Sequence, residues 1–153
     1  MDVTLINPFI NATINVLETM AFVSVDAGTP YLKKDNTATG DVSGVIGLTG
    51  VANGTIAVTF EEECILSVVS GMFGEDMHEL NSEIADAVGE LTNMISGQAR
   101  RELEENGKRF KAAIPSVVTG RNHSIIHYTK GPKIAIPFRT AKGDFTIEVC
   151  FER

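Results

Sequence analysis

The sequence predicts an α+β fold in which an antiparallel-rich β-sheet is covered by long α-helices. Three segments have helical periodicity, and they are separated and followed by short segments in which apolar and polar residues alternate. Connections such as residues 130–132 and 142–144 are too short for a parallel crossover, so the strands that they join are expected to be antiparallel neighbours. The 153 residues, 43% of them hydrophobic, suit one domain, and we expect residues 1–153 to form it.

The first helix is predicted to begin at Asn7-Pro8, which serve as a cap and a first helical position. An earlier start near Asp2 is the alternative, with Pro8 tolerated only in an irregular first turn. One face of this helix is apolar, and it consists of Ile6, Ile10, Ile14, Leu17 and Ala21. The period then changes, and turn residues separate four predicted strands over residues 22–25, 31–32, 42–49 and 55–60.

A second helix is predicted from three consecutive acids, Glu61, Glu62 and Glu63, to Gly74. Acidic side chains suit the positive end of the helix dipole, so we interpret the three acids as a helix start rather than a metal site. The predicted apolar face is Ile65, Val68, Val69, Met72 and Phe73.

The longest predicted helix begins at a cap formed by Asn81 or Ser82 and ends near Asn106-Gly107. Such a helix is about 35 Å long. Its apolar seam has the spacing of heptad core positions. The seam consists of Ile84, Val88, Leu91, Ile95 and, more loosely, Ala99 and Leu103.

The remainder of the chain returns to strand patterns, over residues 114–119, 123–128, 133–139 and 144–151. In the last of these, four apolar residues alternate with Asp144, Thr146, Glu148, Cys150 and Glu152. This alternation predicts a strand with one buried face and one polar face.

Composition excludes several classes of function. The net charge is −7, with 13 basic residues scattered along the chain, which argues against binding to nucleic acid or anionic membranes and favours a basic partner surface. No apolar run reaches the roughly 18–20 residues of a spanning helix, and no secretory signal is visible, so a cytoplasmic protein is expected. Cys64 and Cys150 are far apart without a CxxC pattern, which indicates two small buried side chains.

A polar stripe on the longest helix carries the most informative residues of the chain. At 100° per residue, Asp86, Glu90, Asn93 and Gly97 fall on one face, roughly 180° from the apolar seam. This stripe is therefore expected to face away from the core. An exposed helix face usually carries long charged side chains in i,i+4 pairs, as residues 100–105 are expected to do.

An ordinary solvated surface is the simplest interpretation of this stripe, and spacing alone leaves it open. Glycine within a helix costs about 1 kcal/mol relative to Ala, so Gly97 and Gly89 each need a physical reason. Close approach of another backbone is one such reason.

The stripe resembles the helix motif of the CheC/CheX/FliY chemotaxis phosphatases, and of CheX-like members in particular. That motif is Asp or Ser, three residues, Glu, two residues, Asn, three residues and Gly, and the segment from Asp86 to Gly97 matches all four positions. Residues 115–120 and 45–50 also resemble the family in corresponding places. The resemblance covers nearly the whole chain and implies a CheC-like or CheX-like domain.

Dephosphorylation of a phosphorylated CheY-type response regulator is the activity that the resemblance implies. Asn93 would position the attacking water, because its amide offers an acceptor and a donor without negative charge. Glu90 would form a salt bridge with the Lys of the receiver, while Asp86 and Gly97 would support partner binding. Mg²⁺ is expected on the phosphorylated receiver, so no metal or cofactor is expected on this chain.

A single phosphatase site is expected, since Glu18 in the first helix is followed by Thr19, Met20 and Ala21 and so lacks the Asn of a second motif. This agrees with CheX-like members, which are homodimers, and we expect a homodimer here. The length leaves no room for the additional flagellar-switch domain of FliY.

Three histidines and two other classes of function stay open. His78 lies among acids, and we interpret this segment as a polar loop rather than a metal site. His123 and His127 would share one face of a regular strand. A non-catalytic module that binds a response regulator or a flagellar protein through the same helix is the main alternative function. A small-molecule binder would need an apolar pocket beside the sheet. No nucleotide-binding or triad motif is present.

Overall fold

The structure, a computed structural model, describes residues 3–127 and 129–152. Within this part of the chain, three α-helices and eight β-strands form, which confirms the predicted α+β class. In chain order the elements are α1 (Val3–Met20), β1 (Asp26–Ala27), β2 (Tyr31–Lys33), β3 (Val42–Gly50), β4 (Gly54–Phe60), α2 (Glu62–Phe73), α3 (Ser82–Glu105), β5 (Phe110–Ala112), β6 (Ser116–Thr119), β7 (Lys133–Thr140) and β8 (Gly143–Phe151).

All eight strands belong to one sheet, and the pairs between them are antiparallel, as the short connections predicted. The order across the sheet is β1-β7-β8-β4-β3-β5, with β2 also paired to β7 and β6 also paired to β3. Each edge of the sheet is therefore formed by two short strands that share one long neighbour. Short edge strands limit the backbone that is open to unwanted pairing.

The main core lies between the three helices and one face of the sheet. Apolar side chains from α1, α2 and α3 meet those from β3, β4, β7 and β8 in one cluster. Its aromatic centre includes Phe138 stacked on Phe145, with the ring centroids 4.9 Å apart. Among the described residues, no helix has the length and hydrophobicity needed to cross a lipid bilayer.

The first helix begins before the predicted residue. It already includes Val3, so the predicted start at Asn7 is wrong and the alternative of an earlier start is favoured, with Pro8 inside the helix. Phe9 and Val16 are fully buried, whereas Ile10 and Ile14 of the predicted face are only half-buried. Proline removes one helical hydrogen bond, and burial of the neighbouring Phe9 offsets that loss.

Residues 22–25 form no strand, contrary to the prediction. Phe22, directly after α1, adopts a left-handed conformation with φ of 57°, and its side chain is exposed. The backbone changes direction there, and the first strand pairing occurs at Asp26–Ala27 beside β7. The Val23 amide donates to the carbonyl of Leu17 at 3.1 Å, so this segment bonds back to the end of α1 instead of pairing with a strand, and its apolar residues were a misleading signal.

The segment after α3 also differs from its predicted strands. Residues 110–112 form the unpredicted strand β5, and the strand predicted at 114–119 is limited to Ser116–Thr119. The strand predicted at 123–128 does not form up to residue 127, and Tyr128 lies outside the described residues. The segment instead crosses the sheet face opposite the helices, where the Ile125 amide donates to the carbonyl of Asn36 at 2.7 Å.

The polar face predicted for the last strand is buried from Thr146 to Cys150. From Phe145 to Phe151 both faces of β8 are buried, and Glu148 is fully inaccessible. Segments near residues 34–41, 121–127 and 129–131 cover this second face, and Ala38 and Ile125 from two of them form a small apolar cluster with Ala57 of β4. The sheet is thus covered on both sides.

Glu148 is held by two cationic or polar partners in this second layer. The Lys33 Nζ atom donates to Glu148 Oε2 at 2.7 Å, and the His127 Nε2 atom lies 3.0 Å from Glu148 Oε1. Burial opposes ionisation of the carboxyl group, but the hydrogen bonds from His127 and Lys33 and the charge of Lys33 outweigh it, so the pKa of Glu148 lies below its usual value. The His127 Nδ1 atom is buried without a partner in the described part of the chain.

The two cysteines are free and buried, as predicted. Burial is the main cause that raises the pKa of the Cys64 thiol to about 12. A thiol with so high a pKa stays protonated at neutral pH and is a poor nucleophile.

Glu148→Gln should destabilise the protein by about 3 kcal/mol at pH 7, because it removes the buried carboxylate 2.7 Å from Lys33 Nζ and leaves only the exposed Asp35 carboxylate, at 3.8 Å, as a counter-charge. The depressed pKa of Glu148 contributes stability above the unfolded-state value of about 4.3, and that stability is lost as the pH falls through the lower folded-state value. The substitution should therefore also flatten the loss of stability in acid. Urea unfolding at several pH values measures both effects.

Glu79→Gln, a change of the same kind at an exposed loop residue, serves as the control and should leave the free energy of unfolding within about 0.5 kcal/mol of the parent. If the free energy of unfolding of Glu148→Gln fell in acid as steeply as that of the parent, the Glu148 network would not be the cause of the loss of stability at low pH.

Candidate functional site

The candidate site lies on α3, whose ends are fixed by the predicted caps. The Asn81 side chain accepts a hydrogen bond from the Ile84 amide at 3.1 Å, which satisfies one of the free amides of the first turn. At the other end, Gly107 adopts the left-handed conformation with φ of 81°. The helix has 24 residues, so its length of about 36 Å agrees with the prediction.

The predicted seam of α3 is confirmed as its buried face. All six seam side chains are buried, with at most 1% of their surface exposed. They are Ile84, Val88, Leu91, Ile95, Ala99 and Leu103. Burial of a Leu, Ile or Val side chain contributes about 1.5–3 kcal/mol, so this seam fixes the rotation of the helix about its axis.

Close contact with β3 holds the middle of α3 against the sheet. A Cβ atom on Gly44 would lie 2.0 Å from Thr92 Oγ1 and 3.3 Å from Val88 Cγ1, so only glycine fits at this position. The Thr92 hydroxyl donates to the carbonyl of Val88 at 2.7 Å and is thereby satisfied inside the core. Thr92 directly precedes Asn93, so this contact sets the height of the candidate site above the sheet.

The stripe faces away from the core, as its spacing predicted. Asp86, Glu90 and Asn93 are exposed, and Gly97 is half-buried. Within the described part of the chain, none of the three polar side chains forms a hydrogen bond or an ion pair. Their carboxylate and amide groups are therefore available to a partner molecule.

A shallow, open groove runs along the C-terminal part of this stripe. Glu90, Asn93, Met94, Gly97, Gln98 and Arg101 line it. The Gln98 side chain is fixed from the side by α1, because the Asn15 Nδ2 atom donates to Gln98 Oε1 at 2.7 Å. A groove this open suits the surface of another macromolecule better than a small ligand, which is usually enclosed on most sides.

The i,i+4 pairing expected in residues 100–105 does not form. Arg100 donates to Ser96 Oγ at 3.3 Å, and Glu104 forms an ion pair with Arg109 at 2.9 Å. The sequence did not predict that Gln98 and Arg101 line the groove. The spacing of Arg101, four residues after Gly97, could have indicated it, whereas the contact of Gln98 with Asn15 requires the tertiary structure.

The histidines take separate roles in the structure. His78 is exposed in the loop before α3. His123 Nε2 lies 2.6 Å from the Ser43 hydroxyl, on the sheet face where His127 contacts Glu148. Across the described residues, no three His, Cys, Asp or Glu side chains form a group that could hold a metal ion.

The first helix lacks a second copy of the stripe. Glu18 is exposed, but the residue three positions later, Ala21, is buried just beyond the end of α1. Polar side chains of α1 bind α3 instead: Asn11 Nδ2 donates to Glu102 Oε1 at 3.2 Å near the protein surface. The geometry thus offers one Glu-x-x-Asn pair, on α3.

Comparison with known proteins supports the resemblance found in the sequence. The family model described as chemotaxis phosphatase CheX matches residues 42–139, which include the whole stripe. The CheY-P phosphatase CheX of Thermotoga maritima is 30% identical over 126 residues, covering 82% of this chain and 81% of that protein.

Solved structures share both the fold and the length of this chain. A CheC-like superfamily protein from Shewanella sp. PV-4 is 47% identical, with a TM-score of 0.93 and full coverage of both chains. A chain of the CheX-CheY-BeF3-Mg²⁺ complex from Borrelia burgdorferi is 26% identical, with a TM-score of 0.82 and 97% coverage of each chain.

Gly44→Ala should destabilise the protein by about 1–3 kcal/mol, because the new methyl group would displace Thr92 and α3 from β3. Gly47→Ala is the matched control: Gly47 is on the same strand, and a Cβ atom there would meet nothing within 4 Å. It should be neutral or slightly stabilising. Urea unfolding of both variants measures the difference. Equal free energies of unfolding would contradict the close contact between α3 and β3 at Gly44.

Proposed function

This chain belongs to the CheX family of chemotaxis phosphatases, and we propose that it hydrolyses the aspartyl phosphate of a CheY-type response regulator. The observation that carries this proposal is the exposed stripe of α3, whose polar groups have no partner in the described chain while the opposite face of the helix is buried. The CheX chain in the Borrelia burgdorferi complex has the same fold and was solved together with CheY.

The proposed chemistry is attack of water on phosphorus, in line with the bond to the aspartate oxygen. A new P–O bond forms as the old one breaks, which releases inorganic phosphate and the aspartate carboxylate. Asn93 positions the water, since its side-chain oxygen accepts a hydrogen bond and its NH₂ group donates one. An amide brings no negative charge near the phosphoryl oxygens. Mg²⁺ and a Lys on the receiver would neutralise those oxygens.

Glu90 is proposed as the contact with the receiver Lys rather than as a general base. A carboxylate next to the phosphoryl group would be repelled by like charge, and the repulsion grows as water leaves the interface. Glu90 lies one helical turn before Asn93 on the same exposed face, so it reaches a neighbouring group on the partner. A salt bridge there would orient the receiver over Asn93.

The two other stripe residues are proposed to bind the partner. Asp86 lies one turn before Glu90 and extends the acidic end of the stripe. At Gly97 a Cβ atom would meet only Arg100 Nη2, at 3.9 Å, so packing within this chain does not require glycine there. Clearance for a docked receiver would account for the glycine.

The assembly and location follow the same proposal. A homodimer would keep both α3 stripes accessible, with pairing through edges or faces away from the groove. The substrate is a cytoplasmic signalling protein, so the cytoplasm is the proposed location.

Asn93→Ala should lower the rate of dephosphorylation by about two orders of magnitude, equivalent to roughly 2.7 kcal/mol of transition-state stabilisation. Affinity for the phosphorylated receiver should change little, because the docking surface remains. Asn93→Asp should fail as well despite its similar size, since it adds a negative charge and removes the donor. Release of inorganic phosphate from an acyl-phosphorylated receiver measures the rate.

Glu90→Ala separates the two roles, because it should weaken binding as well as turnover. Binding to a receiver that carries beryllofluoride, a phosphoryl mimic, measures affinity independently of hydrolysis. Full activity of Asn93→Ala would contradict water positioning and favour the non-catalytic binding module.

Gly97→Ala should stabilise the isolated protein by up to about 1 kcal/mol yet reduce affinity for the receiver, since the methyl group occupies the proposed clearance. Gly89→Ala is the matched control on the same helix, where a Cβ atom would make an ordinary 3.5 Å contact with Val117 Cγ2. It should be at least as stable as the parent and fully active. Thermal unfolding and receiver binding measure the two effects, and unchanged affinity in Gly97→Ala would contradict the clearance.

A further inference from the structure

Arg101 occupies the end of the groove, one helical turn beyond Gly97. It is exposed, and it lines the same groove as Glu90 and Asn93. Eight residues separate Asn93 from Arg101, which corresponds to about 12 Å along the helix. The stripe therefore continues past the phosphatase motif and changes sign, from two carboxylates at one end to a guanidinium at the other.

The acids that could neutralise Arg101 are engaged elsewhere or not paired with it. Glu102 accepts a hydrogen bond from Asn11 at 3.2 Å, and Glu104 forms its ion pair with Arg109 at 2.9 Å. Glu105, four residues after Arg101, makes no ion pair with it. Within the described residues, Arg101 is thus an exposed cation without a partner in a chain whose net charge is −7.

Arg100, the adjacent residue of the same type, shows the contrast. It is half-buried, and its Nε atom donates to Ser96 Oγ at 3.3 Å, so it is held against its own helix. Arg101 keeps all five of its N–H donors in a fork that suits a carboxylate.

We propose that Arg101 is a docking residue that binds an acidic side chain on the receiver, at a point about 12 Å along α3 from the phosphoryl group over Asn93. This inference rests on the proposed function for the identity of the partner. Its support is the continuity of Arg101 with the groove and the opposite charges at the two ends of the stripe.

A surface with negative charge at one end and positive charge at the other fixes the orientation in which the receiver docks. The receiver Lys pairs with Glu90, and the receiver acid pairs with Arg101, about 16 Å farther along the helix. A receiver rotated by 180° would place like charges together at both ends, and like-charge contacts are strongly unfavourable at an interface. Arg101 therefore acts on recognition, not on the reacting atoms.

The test compares Arg101→Glu with Lys142→Glu, which makes the same change of charge in the exposed turn between β7 and β8. Arg101→Glu should raise KM for the phosphorylated receiver about tenfold while kcat stays within about twofold, because a lost docking contact affects binding rather than chemistry. Lys142→Glu should change neither constant. Thermal unfolding should be unchanged in both variants, since neither side chain supports the core.

Two further measurements strengthen the test. Arg101→Ala should reduce the increase of KM with ionic strength that the parent shows, because one screened ion pair is missing. A receiver in which an acidic surface residue near the predicted point is changed to Arg should regain affinity for Arg101→Glu.

The outcomes separate this inference from the proposed function. Dephosphorylation with an unchanged KM in Arg101→Glu would overturn the docking role and leave the phosphatase function intact. Equal loss in Lys142→Glu would also overturn it, since the effect would then be one of total charge. If the parent binds the beryllofluoride-bound receiver without hydrolysing the phosphorylated one, and Arg101→Glu weakens that binding, the docking role is supported and the phosphatase function is wrong.

Discussion

The close contact of α3 with β3 is the constraint on which the rest of the structure depends. Gly44 has no side chain, so Thr92 and Val88 can approach the strand closely. The buried seam from Ile84 to Leu103 then packs along the sheet. A long helix that is buried along one face cannot rotate without exposing that face. The polar stripe is consequently held toward solvent, and Asn93 takes its position from the buried residue next to it.

Stability and function are carried by opposite sides of the same helix. The seam residues are fully buried, whereas Asp86, Glu90, Asn93 and Arg101 make no ion pair in the described chain. Exposed charges contribute little to folding, so a protein can place them to suit a partner. Gly97 shows the same division, because it weakens the helix slightly and leaves open space on the surface.

On the second face of the sheet, a charged side chain is buried and paired within the chain. Glu148 lies on a central strand and is fully covered, and a buried charge is tolerated only when it is paired. Lys33 from an edge strand and His127 from a covering segment supply that pairing. The network also binds the covering segments to the sheet. Its charges are paired inside the chain, whereas the charges of the groove are exposed and unpaired in the described part of the chain.

The sequence alone determined the elements whose signals are local. The cap at Asn81 and the glycines at 74 and 107 mark helix ends by interactions within one turn, and the heptad spacing of α3 separates its seam from its stripe. The stripe residues were therefore found where the structure places them, although their roles in catalysis remain proposals. Tertiary structure decided the turn at Phe22, the extra strand β5, the burial of Glu148 and the unpaired state of Arg101. These features depend on partners far away in the sequence, such as β7 for the first strand, Lys33 for Glu148, and Asn11 for Glu102 next to Arg101. Alternation and spacing describe one segment at a time, so they cannot show which segment covers another.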